Sequence, residues 1–382
     1  SIPDVPELFY TGDYHGSGKG LRFYEEAGCF RLPFFCPLES EQKTIALAFL
    51  SMLKWNRNRN NLESAWRECL LEREHQFRNK ITWFTFLLSI LVVWVHSANG
   101  ELFLGQSPEA AGVIRFERFL GGTMGQIAVP GFFMMSGYLF YRDFCWEKLG
   151  RKWNSRIQSV LVPFFLWNGI YYLGYVIGSR LPVIADIVEK GRIPFDWYTA
   201  VEALIHYTYN YVFWYLYQLI LLILLAPVLY GILKNGIGGA LCLIVLFYLV
   251  QKGVIIPCLN LDALFYYSLA AYGGLHNRDL VEGERTERAW RIGMAAVVTA
   301  IIILSVNWPG GIRERVIFRT LMPVGLWFIT EKRRLPEARQ WMKDSFYLYT
   351  VHFALVRLIN KTAASLFPGY WPLPVGLFIF MP

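Results

Sequence analysis

From residue 81 onward the chain alternates between long apolar stretches and short polar, cation-bearing connections. Ten apolar segments stand out, at 81–98, 122–141, 157–178, 209–233, 237–251, 261–276, 292–308, 315–330, 345–366 and 370–382. Several reach or approach the roughly 20 residues a helix needs to cross a hydrocarbon core of about 30 Å. The pattern predicts an all-α, polytopic membrane protein of about ten transmembrane helices with a short N-terminal cytoplasmic segment. We divide it into a segment 1–78 of unknown role and a membrane domain 79–382.

The first span, Trp83–Ser97, reads WFTFLLSILVVWVHS and closes on one histidine. At about 100° per residue, and taking His96 as zero, Ser89 lies near +20°, Thr85 near −20° and Thr82 near +40°. These few polar side chains therefore share one stripe. Polar groups at membrane depth are costly and usually face a cavity or a partner. A histidine at a helix end also suits an interfacial position, and the stripe is what turns attention to chemistry.

Composition agrees with a membrane protein: 55% of the 382 residues are hydrophobic and 17% aromatic, too many for a soluble domain of this size. The net charge is +8. Its distribution signals topology rather than nucleic-acid binding: with residue 80 inside, 18 Lys and Arg fall in the inner loops and nine in the outer ones. That places both ends of the membrane domain in the cytoplasm and His96 toward the outer side. Trp197, Tyr198, Trp214 and Trp371 crowd predicted boundaries, as interfacial anchors do. The six cysteines (29, 36, 69, 145, 242 and 258) lack metal-ligand spacing, so no metal is expected; with Cys145 on the cytoplasmic side and Cys242 inside a span, no disulfide framework is expected either. Neither terminal stretch reads as a signal peptide or lipidation motif. The start at Ser1 and the stop at Pro382 inside an apolar run suit a piece of a longer chain.

Residues 1–75 begin loop-like, and Gly16–Gly20 (GSGKG) misses phosphate-loop spacing because Asp13 and Gly20 stand where glycine and Ser or Thr are required. From Glu39 the text is helical, with Ile45, Phe49, Met52 and Leu53 on one face.

Candidate chemistry gathers at a few further places. Ser136-Gly137 in the second span is a small-residue notch, which helix packing alone would explain. Lys148, Arg151, Lys152 and Arg156 put four cations in nine residues at the cytoplasmic face. They suit anionic headgroups or the phosphates of a cytosolic cofactor. Asp262, Arg319 and Arg357 are ionisable groups at membrane depth, and Asp262 could pair with either arginine. Tyr349 and His352, three apart, share a helix face.

In order along the chain, LVVWVHS, VPGFFMMSGYLF, the basic run into RIQSVLVPFFLWN, FWYLYQLILLILLAPVL and DSFYLYTVHF resemble the membrane-bound acyltransferase 3 family, the O-acetyltransferases of bacterial surface glycans. The resemblance covers about residues 79–380. It implies an acetyl-CoA or other short acyl-CoA donor from the cytoplasm, a carbohydrate hydroxyl as acceptor, and a bacterial inner-membrane location. It also implies that His96 is the catalytic base and that Arg156, with Arg151 and Lys152, holds the CoA phosphates. Thr85, Ser89, Ser136, Gly137 and His352 would line the chamber. In that family an arginine usually precedes the histidine by eleven residues, on the same face and about 16 Å away; here that position is Thr85. Arg78 or Lys80 could replace its charge. The rival class is a transporter or exporter of a surface-polysaccharide precursor. Such proteins often carry related halves with matching broken helices, and Pro130 and Pro163 find no clear counterparts beyond Pro323.

Overall fold

The computed structural model describes residues 56–382 apart from 183, 186–190, 284–285, 308–309 and 371. The expectations for 1–55, the GSGKG loop and the helical face at 45–53 among them, lie outside the described residues. So do Cys29, Cys36, Lys190, Arg285 and Trp371. The chain divides into a unit ending at Cys69 and one running from Leu70 to Pro382; the second is described below.

Every named element is helical, and each of the ten apolar segments forms a helix, a helix pair or part of one. Helix α1 (Asn56–His96) is followed by a one-turn helix Gly100–Leu104 and by α2 (Pro108–Phe119). A π-type turn Leu120–Met124 and a 3₁₀ turn lead into α3 (Ala128–Tyr141). Next come α4 (Leu149–Arg156) and α5 (Val162–Gly178), joined by a second π-type turn Ile157–Leu161. Then follow α6 (Trp197–His206), α7 (Trp214–Leu224), α8 (Ala226–Leu233), α9 (Gly236–Gln251) and α10 (Leu261–His276). The last are α11 (Glu287–Asn307), α12 (Ile312–Ile329), α13 (Ser345–Leu366) and α14 (Pro372–Phe380).

Among the described residues, three helical stretches are long and apolar enough to cross a membrane: Arg67–Leu104, Trp146–Gly178 and Glu287–Val306. A fourth results if the pair Tyr211–Leu224 and Ala226–Leu233, bent by 62°, counts as one span. The bend follows from Pro227, which sits in the first turn of α8. There its missing N–H costs nothing, but its ring stops α7 from continuing. Along α9, Ile237, Leu241, Ile244, Val245 and Tyr248 are all more than half exposed. Water penalises such a row; lipid tails accept it.

The core forms around α3, α7 and α10, with Phe133, Phe140, Tyr141, Phe213, Leu222 and Tyr267 almost fully buried. The Ser136-Gly137 notch is what lets α3 and α10 touch. A Cβ on Gly137 would overlap the Tyr267 carbonyl oxygen, and one on Gly274 would stand 3.2 Å from the Tyr138 carbonyl. Gly137 thus lies at a helix contact.

At one end of α1 a charged network joins elements far apart in sequence. The Arg142 guanidinium donates to Glu74 at 2.8 Å and pairs with Glu282 at 3.0 Å, while Arg278 holds Asp143 at 2.6 Å and Glu282 at 3.2 Å. Lys80 is buried and donates to the Trp327 and Thr330 carbonyls at 2.7 and 2.9 Å, 4.2 Å from the Trp327 ring centroid. Its charge caps the C-terminal carbonyls of α12, the favoured place for a cation. Arg78 is exposed and pairs with Glu74 one turn back. Neither cation takes over the position that Thr85 occupies.

Replacing Gly137 with valine should destabilise the protein by about 1–3 kcal/mol, because the Tyr267 backbone cannot withdraw without opening the α3–α10 contact. Thermal unfolding of the purified protein in detergent would read this as a lower Tm; an unchanged Tm would show that the helices can part freely.

Candidate active site

His96 is the last residue of α1. Its Nδ1 lies 2.9 Å from the Tyr211 hydroxyl. Its ring centroid is 5.3 Å from that of His352 and 5.7 Å from that of Phe353, both on α13. The Tyr211 and Phe353 rings meet edge to face at 4.5 Å, which steadies the tyrosine beside the histidine. His352 is 2% exposed; its Nδ1 lies 2.7 Å from the Tyr349 carbonyl, and its Nε2 has no hydrogen-bond partner. Because a carbonyl can only accept, Nδ1 carries the proton and Nε2 is left as a buried acceptor. In the tautomer whose Nδ1–H donates to the Tyr211 oxygen, His96 Nε2 likewise keeps its lone pair. Among the described residues it makes no hydrogen bond.

The chain just past His96 is held by buried polar contacts. Both carboxylate oxygens of Glu117, on α2, accept from the Gly100 N–H at 3.0 and 3.1 Å, and Oε1 also accepts from the Asn99 N–H at 3.1 Å. Asn99 donates its side-chain amide to Asn360 on α13 at 2.9 Å. Glu117 is 3% exposed. Burial pushes its carboxyl above the ordinary carboxylate range, and the two amides pull the other way. Carboxylate oxygens at the start of a one-turn helix meet amides that have no other partner.

From His352 a line of rings leads away from the base. Tyr349 lies 6.0 Å from His352, and Tyr215 lies 6.0 Å from Tyr349, centroid to centroid. The Tyr215 hydroxyl is 3.1 Å from Ser136 Oγ. The Arg156 charge acts on the Tyr215 and Tyr267 hydroxyls, and Tyr267 Oη is buried without a hydrogen-bond partner. So Ser136, His352 and His96 are brought onto one path, with the Arg156 charge felt at its far end. Lys152 is committed elsewhere, donating to the Phe140 carbonyl at 2.6 Å. Arg151 is exposed and makes no hydrogen bond or ion pair among the described residues.

The stripe on α1 is differently placed from a free polar wall. Thr82, Thr85 and Ser89 each donate to the carbonyl four residues back, at 3.1, 2.8 and 2.9 Å. This back-bonding satisfies a hydroxyl inside an apolar helix without outside help. Among the described residues, Asp262 forms no ion pair with Arg319 or Arg357; it lines a cavity together with Arg315 and Arg319.

Tyr211, Tyr215, Glu117, Asn99 and Asn360 escaped the sequence reading. Only Asn99-Gly100 carried a local signal, the turn that this dipeptide favours. The others work across 17 to 261 residues of sequence, beyond the reach of helical periodicity.

With the site laid out, the chain's class is clear. The acyltransferase 3 family, described as an acyltransferase domain, matches residues 78–382. The chain belongs to that family and is an acyltransferase. It is similar to the succinoglycan biosynthesis protein ExoH of Rhizobium meliloti (strain 1021), 25% identical over 278 residues that cover 66% of this chain and 72% of the relative. No solved structure matches it.

Exchanging Glu117 for glutamine keeps the volume and one acceptor oxygen, but removes the charge from both bonds and sets an NH2 donor against the Gly100 N–H, a loss of about 2 kcal/mol. The variant should unfold at lower temperature and transfer acyl groups more slowly. Wild-type behaviour in both assays would remove Glu117 from any part in holding the end of α1.

Proposed function

We propose that this acyltransferase moves an acetyl or similar short acyl group from acyl-CoA to a hydroxyl of a surface carbohydrate or its precursor. His96 is the general base. The observation that carries the reading is the His96–Tyr211 hydrogen bond beside His352, at the end of a ring path whose other end feels Arg156. Carbohydrate as acceptor is supported by the likeness to a succinoglycan biosynthesis protein. A hydroxyl is a poor nucleophile at neutral pH, and a positioned imidazole can take its proton. In this scheme His96 Nε2 takes the acceptor's hydroxyl proton as its oxygen attacks the thioester carbonyl; the tetrahedral adduct collapses with cleavage of the C–S bond, and the departing CoA sulfur receives that proton. Tyr211 fixes the ring by accepting from Nδ1–H. His352 Nε2 offers a second acceptor that can orient the incoming hydroxyl.

The donor enters from the cytoplasmic face, its phosphates held by Arg156, with Arg151 beside it. Its pantetheine arm follows Tyr215, Ser136 and Tyr349 toward His96. The membrane domain, from residue 79, crosses the bacterial inner membrane ten times with both its ends inside, a topology supported by the twofold loop-charge bias. Lys152 serves the end of α3 and plays a smaller part in donor binding.

Purified protein given radiolabelled acetyl-CoA and oligosaccharide acceptors should transfer label. His96→Ala should lose about a hundredfold or more in rate, while Tyr211→Phe loses less and keeps the donor KM. Undiminished transfer by His96→Ala would overturn the mechanism. Flux of a glycan precursor without acyl transfer would favour a transporter.

A further inference from the structure

Away from the ring path, two cavities flank one helix turn of α12. One, about 150 Å³, is lined by Gly122, Thr123, Gln126, Glu314, Arg315 and Arg319. The other, about 420 Å³, is lined on its polar side by Asn260, Asp262, Arg315 and Arg319. Both are far larger than the roughly 30 Å³ share of a single water. The two arginines are four residues apart, so both project from one face of α12, about 6 Å apart along it. Both line both cavities.

Their surroundings leave both guanidinium groups without an ion pair among the described residues. Arg319 donates to Gln126 Oε1 at 3.1 Å, a neutral partner. Glu314 is occupied as a helix cap, accepting from the Gly311 N–H at 2.9 Å. Asp262 acts on both arginines, yet neither reaches it within ion-pair distance. Two carboxylates, Asp262 and Glu314, thus line the cavities beside two guanidinium groups, and among the described residues neither arginine is ion-paired. Nearby, Tyr266 Oη is buried without a hydrogen-bond partner.

The cavity wall is also the backing of the active site. Gln126 belongs to the turns between α2 and α3. A Cβ on Gly121 would stand 2.7 Å from the Trp94 carbonyl, and one on Gly125 2.7 Å from Val95 Cγ2. Leu91, Met124, Ile127, Phe318 and Met322 pack as one cluster. Arg319 is thus level with the last turns of α1, separated from it by a single layer of backbone.

We propose that Arg315 and Arg319 form a subsite for a phosphate ester on the acceptor side of the reaction, with Asp262 as the counter-ion that the phosphate replaces. This rests on the acyltransferase reading given above. Guanidinium forks match phosphoryl oxygens in geometry and charge, and two of them one turn apart span adjacent phosphoryl groups. The phosphate can arrive on a lipid carrier or as a soluble ester.

Binding separates these sources without needing turnover. The full chain in nanodiscs of zwitterionic lipid is titrated with inorganic pyrophosphate and, separately, with farnesyl diphosphate, by calorimetry. Binding of pyrophosphate marks recognition of the phosphoryl group alone; binding of farnesyl diphosphate only marks a lipid-borne one. Either supports the site. Arg315→Gln, at an exposed position, and the Arg315→Gln/Arg319→Gln pair should weaken binding about tenfold or more. Asp262→Asn should tighten it, and Arg313→Gln, outside both cavities, should leave it unchanged. His96→Ala should bind the probes as the wild type does, so a failed transfer reading and a failed subsite are told apart. Absence of binding by either probe, wild-type affinity in both arginine variants, or weaker binding by Asp262→Asn overturns the proposal.

Discussion

The end of α1 is fixed by a carboxylate in a position from which burial would normally exclude it. Glu117 is tolerated there because it meets the Asn99 and Gly100 amides, which the chain exposes when α1 stops at His96. Each side satisfies a group that would otherwise be buried alone. Asn360 completes the arrangement from α13. On that helix His352, Val356 and Asn360 follow at four-residue intervals and all are buried. The contact that sets Asn360 against Asn99 therefore also sets the height of His352 against His96. Without it, neither the spacing of the two imidazoles nor the approach of Tyr211 would be defined.

At the other end of α1 the same rule produces a different outcome. Lys80 and Arg142 are strongly buried cations, and both are consumed by structure: Lys80 by α12 carbonyls, Arg142 by Glu74 and Glu282. Removing one partner of such a buried pair leaves a charge uncompensated, so these residues bind the helices together. They are not free to bind a substrate. In our proposed reading the positive charge at the ring path comes instead from Arg156 on α4. Thr85, where an arginine is usual in the family, is satisfied by the Ile81 carbonyl. In our proposed reading the donor's electrostatic anchor therefore lies off α1.

The helices were legible in the sequence because apolar runs of this length admit few other structures. The 261–276 and 345–366 segments end where α10 and α13 end. His96 was legible because it closes the clearest of those runs. Its partners were not: Tyr211 is one of 22 tyrosines, and Glu117 sits in an ordinary amphipathic stretch. Their roles exist only once helices distant in sequence are packed. The polar stripe shows the opposite limit. Its periodicity was real, yet Thr85 and Ser89 spend their hydroxyl protons on their own helix. Periodicity reports which face a residue occupies, not what the residue bonds to.

The turns at 120–127 bring these constraints together. A π-type turn is uncommon, and irregular backbone at membrane depth needs protein or water on every side. Glycine at 121 and 125 lets this one lie against the Trp94 carbonyl and Val95, where any side chain would collide. The same irregularity turns Gln126 outward to Arg319. One thin layer of backbone thus supports the last turn of α1 on one side and closes an arginine-lined cavity on the other. A group bound in that cavity would press on the layer that supports the end of α1, so in our reading occupancy of the subsite and placement of His96 are mechanically coupled.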